Sequence, residues 1–202
     1  MGNIDLLCRR YPQLNACRGA IEAVRDVVIT AFEGGGKLLI AGNGGSAADA
    51  GHIAGELLKN FCKKRPIPED IAAELGEEEA SQLEGALPVI SLPDFTSFYT
   101  AYANDRHADY GFAQLILGLG QAQDVFLALS TSGNSKNILH AIRVANAKRM
   151  KVAGLTGATG GAMCRHCAAC ICVPERETFA IQELHLPVYH ALCREWEDYF
   201  FK

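Results

Sequence analysis

LLIAGNGGS, residues 38–46, is the stretch that decides how this chain is expected to fold. Its four apolar residues have the length of a buried strand, and a helical pattern follows directly behind the glycine-rich turn. Glycines let a backbone approach a ligand closely, and the first turn of a helix presents unpaired N–H groups with a partial positive charge. The stretch therefore predicts a strand, a phosphate-binding turn and a helix, with Ser46 as the helix N-cap.

The predicted helix carries an imidazole and a carboxylate on one face. His52 and Glu56 are four residues apart, so their side chains lie one above the other, about two and three turns into the helix. The pattern predicts that the helix continues to about Cys62, where residues 63–66 (KKRP) end it. Two interpretations stay open at this point, a phosphate site leading into reactive side chains or an ordinary exposed His/Glu pair.

Composition restricts the class of protein. The chain has 202 residues, of which 49% are hydrophobic and 21% charged, as in a soluble globular protein of one domain. A net charge of -4 does not favour nucleic acid or an anionic membrane surface. No run approaches the ~18 consecutive apolar residues of a membrane span, and residues 1–10 lack the order of a signal peptide. We expect a cytoplasmic protein without a nucleic-acid or membrane partner.

The rest of the chain alternates short apolar runs with helical periodicity. Strands are predicted at about 37–41, 88–92, 124–130, 151–156 and 170–173, and helices over 4–33 (one, or two with a break near residue 11), 95–102, 112–119, after 135, and from 179 to the end. Such alternation is typical of βαβ units. The predicted fold class is α/β, a doubly wound, five-stranded parallel sheet sandwiched by helices, with an extra N-terminal helical segment in residues 1–35. An acidic segment, about residues 64–87, is expected to form short solvated helices around Gly76, as a surface feature, a lid or a subunit contact.

A second polar loop, STSGNS at residues 130–135, follows the third predicted strand. Hydroxyls and free backbone N–H groups suit a phosphate monoester, and no Lys is required. Because the carboxyl ends of parallel strands meet at one edge of a sheet, both loops are expected there. Neither loop has the G-x-G-x-x-G of a dinucleotide site or the Gly-Lys-Ser/Thr ending of a P-loop, so no nucleotide cofactor is expected.

Four of the eight cysteines fall between residues 164 and 172. Their spacing, C-x2-C-x2-C-x-C, matches neither a ferredoxin run nor the two separated pairs of a zinc ribbon. We interpret Cys170 and Cys172 as small buried hydrophobes in a short strand that ends at Pro174. No disulfides are expected in a reducing cytoplasm. A metal or redox role is the alternative, which iron or colour in the pure protein would reveal.

Further positions join the two loops, namely His52, Glu56, Asn104-Asp105, Leu155-Thr156-Gly157, Ile181-Gln182-Glu183 and His190. This set resembles the sugar-isomerase (SIS) fold and, more narrowly, the phosphoheptose isomerase family. The likeness covers nearly all of 1–202 as a single SIS domain, except about 64–87. It implies isomerisation of sedoheptulose 7-phosphate to D-glycero-D-manno-heptose 7-phosphate through an enediol, the first step of ADP-heptose synthesis. It also implies a homo-oligomer, a tetramer with sites at subunit interfaces.

The resemblance further implies roles for individual residues. Glu56 would be the base that moves a proton between C1 and C2, and His190 would open the ring or transfer protons at the oxygens. Zinc would be held by His52, Glu56, Gln182 and His190. The substrate would be bound by Asn43, Gly44, Gly45, Ser46, Glu56, Asn104, Asp105, Ser130, Thr131, Ser132, Ser135 and Gln182. Phe179 and Ala180 depart from the polar or basic residues that relatives usually carry there.

Two other functions stay open. One is a non-catalytic SIS protein that binds a sugar phosphate, or a replication initiator as the tetrameric replication-initiation regulators do. The presence of both Glu56 and His190 argues against it. The other is a sugar-phosphate-sensing transcription regulator, which the lack of a helix-turn-helix segment before the sheet disfavours.

Overall fold

A five-stranded, all-parallel sheet forms the centre of the computed structural model, which describes residues 2–201. The strands are β1 (Leu38–Ala41), β2 (Val89–Ser91), β3 (Val125–Leu129), β4 (Lys151–Thr156) and β5 (Ala169–Cys172), in the spatial order β2-β1-β3-β4-β5. The chain therefore builds outward from β1 to one side, and then from β3 to the other. This confirms the predicted doubly wound sheet, and it places a topological switch point between β1 and β3.

Helices cover both faces of the sheet. They are α1 (Asn3–Arg10), α2 (Arg18–Glu33), α3 (Gly45–Leu58), α4 (Glu69–Leu75), α5 (Glu77–Gln82), α6 (Thr96–Asp105), α7 (Gly111–Leu119), α8 (Lys136–Ala147) and α9 (Thr178–Phe200). Successive strand residues point to opposite faces, so Leu38 and Ile40 pack in a core with α1, α2, α3 and α9, while Leu39 packs in a second core with α7 and α8. The N-terminal segment forms two helices, separated by a 3-10 turn at Pro12–Cys17.

Helix α3 ends at Leu58, so the predicted continuation to Cys62 is wrong. The cause is a carboxylate from a distant part of the chain. Glu197 on α9 accepts the backbone N–H groups of Phe61 and Cys62 at 2.9 and 2.8 Å, which draws the chain away from the helix axis.

Arg65 completes this junction. Its guanidinium lies 2.8 Å from Glu197 and donates to the carbonyl oxygens of Leu57 and Glu56, each at 2.8 Å. A side-chain cation thus caps the last turn of α3, where helix carbonyls have no partner within the helix. Burial raises the pKa of Glu197, but the two amides and the guanidinium outweigh burial and hold this pKa below its usual value. The junction fixes the backbone that carries Glu56.

The acidic segment forms the short helices α4 and α5 on either side of Gly76, as predicted, and neither helix contains a buried residue. Two backbone hydrogen bonds anchor its end, from Gly85 to Arg65 at 2.7 Å and from Leu87 to Leu57 at 2.9 Å. No helix within residues 2–201 is long and apolar enough to cross a membrane.

Candidate functional site

The two polar loops lie side by side at the carboxyl edge of the sheet, as predicted, because β1 and β3 are neighbours. The side-chain amides of Asn43 and Asn137 bind each other at 3.0 and 2.7 Å and join the first loop to the start of α8. Between the loops lies a cavity of about 290 Å³. Its lining residues are Asn43, Gly44, Gly45, Ser46, Leu129, Ser130, Thr131, Ser135, Thr178 and Gln182.

The first loop turns through Gly44, whose φ of 55° favours glycine. Gly44 occupies the N-cap position and α3 begins at Gly45, so the prediction of Ser46 as N-cap is wrong. Ser46 lies in the first helical turn and is buried, although it still lines the cavity. The helix begins two residues earlier than predicted because glycine can adopt this conformation without strain.

The second loop is held by internal hydrogen bonds and by a neighbouring loop. Ser130 and Ser135 contact each other through their hydroxyls at 3.0 Å, and Ser132 accepts the N–H of Asn134 at 3.1 Å. Residues 157–163, which follow β4 and which we call the buttress loop, support it from behind. The buttress loop donates from its backbone to the Gly133 carbonyl oxygen at 3.0 Å and to the Asn134 side chain at 2.9 Å.

A group of titratable side chains lies where α3 contacts α9. His52 Nε2 lies 3.1 Å from Glu56 Oε1 and 3.4 Å from His190 Nε2. The structure thus confirms that His52 and Glu56 share a face, and it brings His190 to them. Burial and the nearby His52 ring lower the pKa of His190, so this imidazole is neutral at pH 7.

Two residues of this group, Asp49 and Tyr189, were not predicted from the sequence. The buried Tyr189 hydroxyl donates to Asp49 at 3.2 Å and contacts His52 Nδ1 at 3.0 Å. The Tyr189 oxygen thus links Asp49 to one ring nitrogen of His52, while the other ring nitrogen faces Glu56 and His190. These contacts hold the orientation of the His52 ring. The i, i+3 spacing of Asp49 and His52 was the available signal in the sequence.

Gln182 belongs to the cavity between the loops. A Cβ placed on Gly45 would lie 2.5 Å from Gln182 Nε2, so the amide rests directly on this glycine. Seven residues further along each helix, His52 meets Tyr189. Helices α3 and α9 therefore run in the same direction, and the cavity and the histidine group are about 10 Å apart along them.

The donor set formed by His52, Glu56 and His190 fits zinc chemically. Zinc with ligands at ~2.0–2.1 Å holds neighbouring ligands about 3.3 Å apart, close to the two distances around His52 Nε2. The separation between the donor atoms of Glu56 and His190 exceeds 4.8 Å, because among the described residues only a set of three cysteines has all its donor atoms within 4.8 Å of one another. Two zinc ligands at ~2.1 Å are at most about 4.2 Å apart, so one of these two side chains must move closer before both bind the same ion.

Other expected positions lie outside this region. Asn104 and Asp105 end α6, which carries them about 15 Å from its start at the sheet edge, and both are exposed and bonded to each other at 2.9 Å. Phe179 is 66% exposed at the start of α9. His185 on the same helix is fully buried, and burial lowers its pKa to about 4.

Known proteins share this arrangement. A family model of the SIS domain matches residues 12–157, which defines the class of protein. The phosphoheptose isomerase of Aneurinibacillus thermoaerophilus is 40% identical over 90% of this chain and 82% of its own length, and that of Rhodospirillum rubrum is 41% identical over 93% and 90%. A solved phosphoheptose isomerase from Francisella tularensis is 31% identical, with a TM-score of 0.79 over 94% of this chain and 91% of that one.

The chain belongs to the phosphoheptose isomerase family of SIS-domain proteins. It is a phosphosugar isomerase.

Proposed function

We propose that the protein converts sedoheptulose 7-phosphate to D-glycero-D-manno-heptose 7-phosphate through an enediol, as the first step of ADP-heptose synthesis. The observation that carries this proposal is the separation of about 10 Å between the loop cavity and the histidine group. An extended seven-carbon sugar can place its phosphate at one and its carbonyl at the other. The names of the relatives point to the same substrate class.

In this proposal the loop cavity holds the phosphate end of the sugar. Ser130, Thr131 and Ser135 supply hydroxyls, and the N-terminal turn of α3 at Gly44–Ser46 supplies a partial positive charge. Asn43 and Gln182, which both line this cavity, bind sugar hydroxyls. Ser132 acts within the loop, since it holds the backbone of the phosphate-binding turn.

Proton transfer is assigned to the histidine group. Glu56, whose side chain is only 14% exposed, moves the proton between C1 and C2, which one base can do if it lies over both carbons. His190 is neutral and transfers protons at the sugar oxygens. Asp49 and Tyr189 act through His52, because they hold the orientation of its ring. The capped end of α3 keeps the backbone of Glu56 in place.

Zinc is the proposed cofactor at this group. His52, Glu56 and His190 would hold it, and Gln182 would join only if its amide left Gly45. When bound, the ion supplies a Lewis acid that polarises the carbonyl. The residues themselves orient the sugar and move its protons.

We also propose that the chain works as a homotetramer whose sites are completed by a second subunit. Asn104 and Asp105 are exposed and lie away from the cavity of their own chain. A groove of about 230 Å³ between α1 and α9 includes His190 and the 41%-exposed Leu186, which places an apolar surface next to the proposed site. Light scattering of the purified protein measures the subunit number, and a monomer at assay concentration would contradict this part.

Turnover of sedoheptulose 7-phosphate by the purified protein, followed by NMR with chelator or with added zinc, tests the proposal. Glu56→Gln should abolish turnover and retain binding of the sugar phosphate, measured as a thermal shift, while Glu69→Gln in the exposed acidic segment should behave as wild type. Substantial turnover by Glu56→Gln would remove Glu56 as the base. Binding without turnover by the wild type would favour the second candidate, a non-catalytic sugar-phosphate-binding protein.

A further inference from the structure

Four cysteine side chains converge at the edge of the sheet formed by β5. The sulfurs of Cys164, Cys170 and Cys172 all lie within 4.8 Å of one another, and those of Cys164 and Cys172 are 4.0 Å apart. Cys167 lies beside Cys170 at Gly154 on β4, where an added Cβ would lie 3.0 Å from the Cys167 sulfur and 2.8 Å from that of Cys170. Its sulfur is outside the 4.8 Å group and donates to the Met163 carbonyl oxygen at 3.3 Å. The missing side chain at Gly154 thus leaves the space that these thiols occupy.

The separation between the sulfurs of Cys164 and Cys172 is close to that in a metal–thiolate site. Zinc binds thiolate sulfur at ~2.3 Å, so the sulfurs of a tetrahedral site are about 3.8 Å apart. A disulfide would require about 2.05 Å, and all eight cysteines are free thiols. The spacing in the sequence matches no common motif because two ligands come from a turn and two from alternate positions of one strand.

Packing against the second core accounts for Cys167 and Cys170 but not for Cys164 and Cys172. In β5 the buried positions are Ala169 and Ile171, while Cys170 and Cys172 are only partly buried on the opposite face. The interpretation of these cysteines as buried hydrophobes is therefore incomplete. A divalent ion displaces the thiol protons and removes the repulsion between the thiolates.

We propose that Cys164, Cys170 and Cys172 bind a structural zinc ion, separate from the isomerase site, and that Cys167 completes the set by turning from the Met163 carbonyl oxygen to the ion. Soft thiolate ligands select zinc over magnesium or calcium. The ion would tie the end of the buttress loop to β5, and the buttress loop holds the phosphate-binding turn through Gly133 and Asn134. The zinc ion would thus stabilise the loop that supports the proposed phosphate site. Its binding does not depend on which sugar the enzyme uses.

Cobalt substitution tests the proposal, because only cysteine ligands give an intense thiolate-to-cobalt charge-transfer band. The reduced full-length protein with one equivalent of Co²⁺ should show this band, and His52→Ala, which disrupts the other metal site, should keep it. Cys170→Ser should lose the band, while Cys62→Ser, at an exposed thiol outside the cluster, should retain it. Zinc added to the wild type should displace the cobalt and remove the band.

The absence of the band in the wild type, or an unchanged band in Cys170→Ser, would overturn the proposal. A disulfide would overturn it as well. It would appear in the metal-free, non-reduced protein as a mass lower by two hydrogens, with the two missing thiols located in the cluster. If Cys170→Ser does not fold, Cys172→Ser provides the same comparison. Competition for zinc between the wild type and a chromophoric chelator measures the zinc affinity without any variant. Hydrogen exchange in residues 157–167 should slow when zinc binds.

Discussion

Glu197→Ala is expected to destabilise the protein strongly, because it removes one partner of a fully buried ion pair. The side chains of Arg65 and Glu197 are 0% and 1% exposed. Loss of one partner of such a pair leaves an uncompensated buried charge and costs about 3–5 kcal/mol. For a chain of this length each kcal/mol lowers Tm by ~2–4 °C, so Tm should fall by roughly 6–20 °C. The truncation also leaves the amides of Phe61 and Cys62 without their acceptor.

The adjacent residue offers a matched control. Asp198 pairs with Lys63 at 2.7 Å, but these side chains are 46% and 40% exposed. Exposed pairs contribute ~0–1 kcal/mol, so Asp198→Ala should shift Tm by only a few degrees. Thermal and urea unfolding monitored by circular dichroism compare the two variants. If Glu197→Ala is no less stable than Asp198→Ala, the buried pair does not hold this junction.

The stabilisation by Glu197 has a defined pH dependence. Its pKa in the folded protein lies below the usual value, so the folded state favours the charged carboxylate. The stabilisation is therefore complete at neutral pH, and it is lost as the pH falls below the unfolded-chain pKa and through the folded one. The difference in free energy of unfolding between wild type and Glu197→Ala should shrink over the same range.

Three further changes test the site and its surroundings. Gly45→Ala should raise KM for the sugar phosphate several-fold at nearly unchanged Tm, because its Cβ displaces the Gln182 amide; an unchanged KM in the kinetic assay would remove Gln182 from substrate binding. Tyr189→Phe should weaken zinc binding by about 10–100-fold, because His52 loses the hydroxyl partner that holds its ring. Zinc titration against a chelator measures this affinity, and an unchanged value would contradict the role of Tyr189. His185 has a pKa of about 4 in the folded protein, against ~6.5 when unfolded. Protonation of the unfolded chain should therefore lower the free energy of unfolding by about 3 kcal/mol as the pH falls from 6.5 to 4. Urea unfolding of His185→Leu across this range should lack this pH dependence, and an equally steep dependence in the variant would refute the role of His185.

The sheet and the two loops were predictable because their signals are local. Four apolar residues before Gly42 and five before Ser130 mark buried strands, and the glycines and hydroxyls that follow mark turns suited to an anion. Neighbouring parallel strands then bring such loops to one edge. The i, i+4 spacing likewise predicted that His52 and Glu56 would meet.

The features that could not be predicted depend on contacts between residues distant in sequence. The end of α3 is set by Glu197, which lies 132 residues from Arg65, and the ring of His52 is held by Tyr189, 137 residues away. Periodicity holds no information on such pairs. The convergence of the cysteines also depends on the fold, since the pleat of β5 and the bare Gly154 bring the thiols together.

Under the proposed function, the alignment of α3 with α9 determines which lengths of sugar phosphate the enzyme can convert. Gly45 faces Gln182, and seven residues later His52 faces Tyr189. Two rigid helices running in step therefore fix the distance between the phosphate end and the proton-transfer end of the site, whereas a flexible loop would let it vary. A ketose phosphate with a shorter chain could occupy the loop cavity without bringing its carbonyl to Glu56. Chain-length selectivity should accordingly appear in kcat more than in binding, since phosphate contacts are retained while the reacting carbons are misplaced.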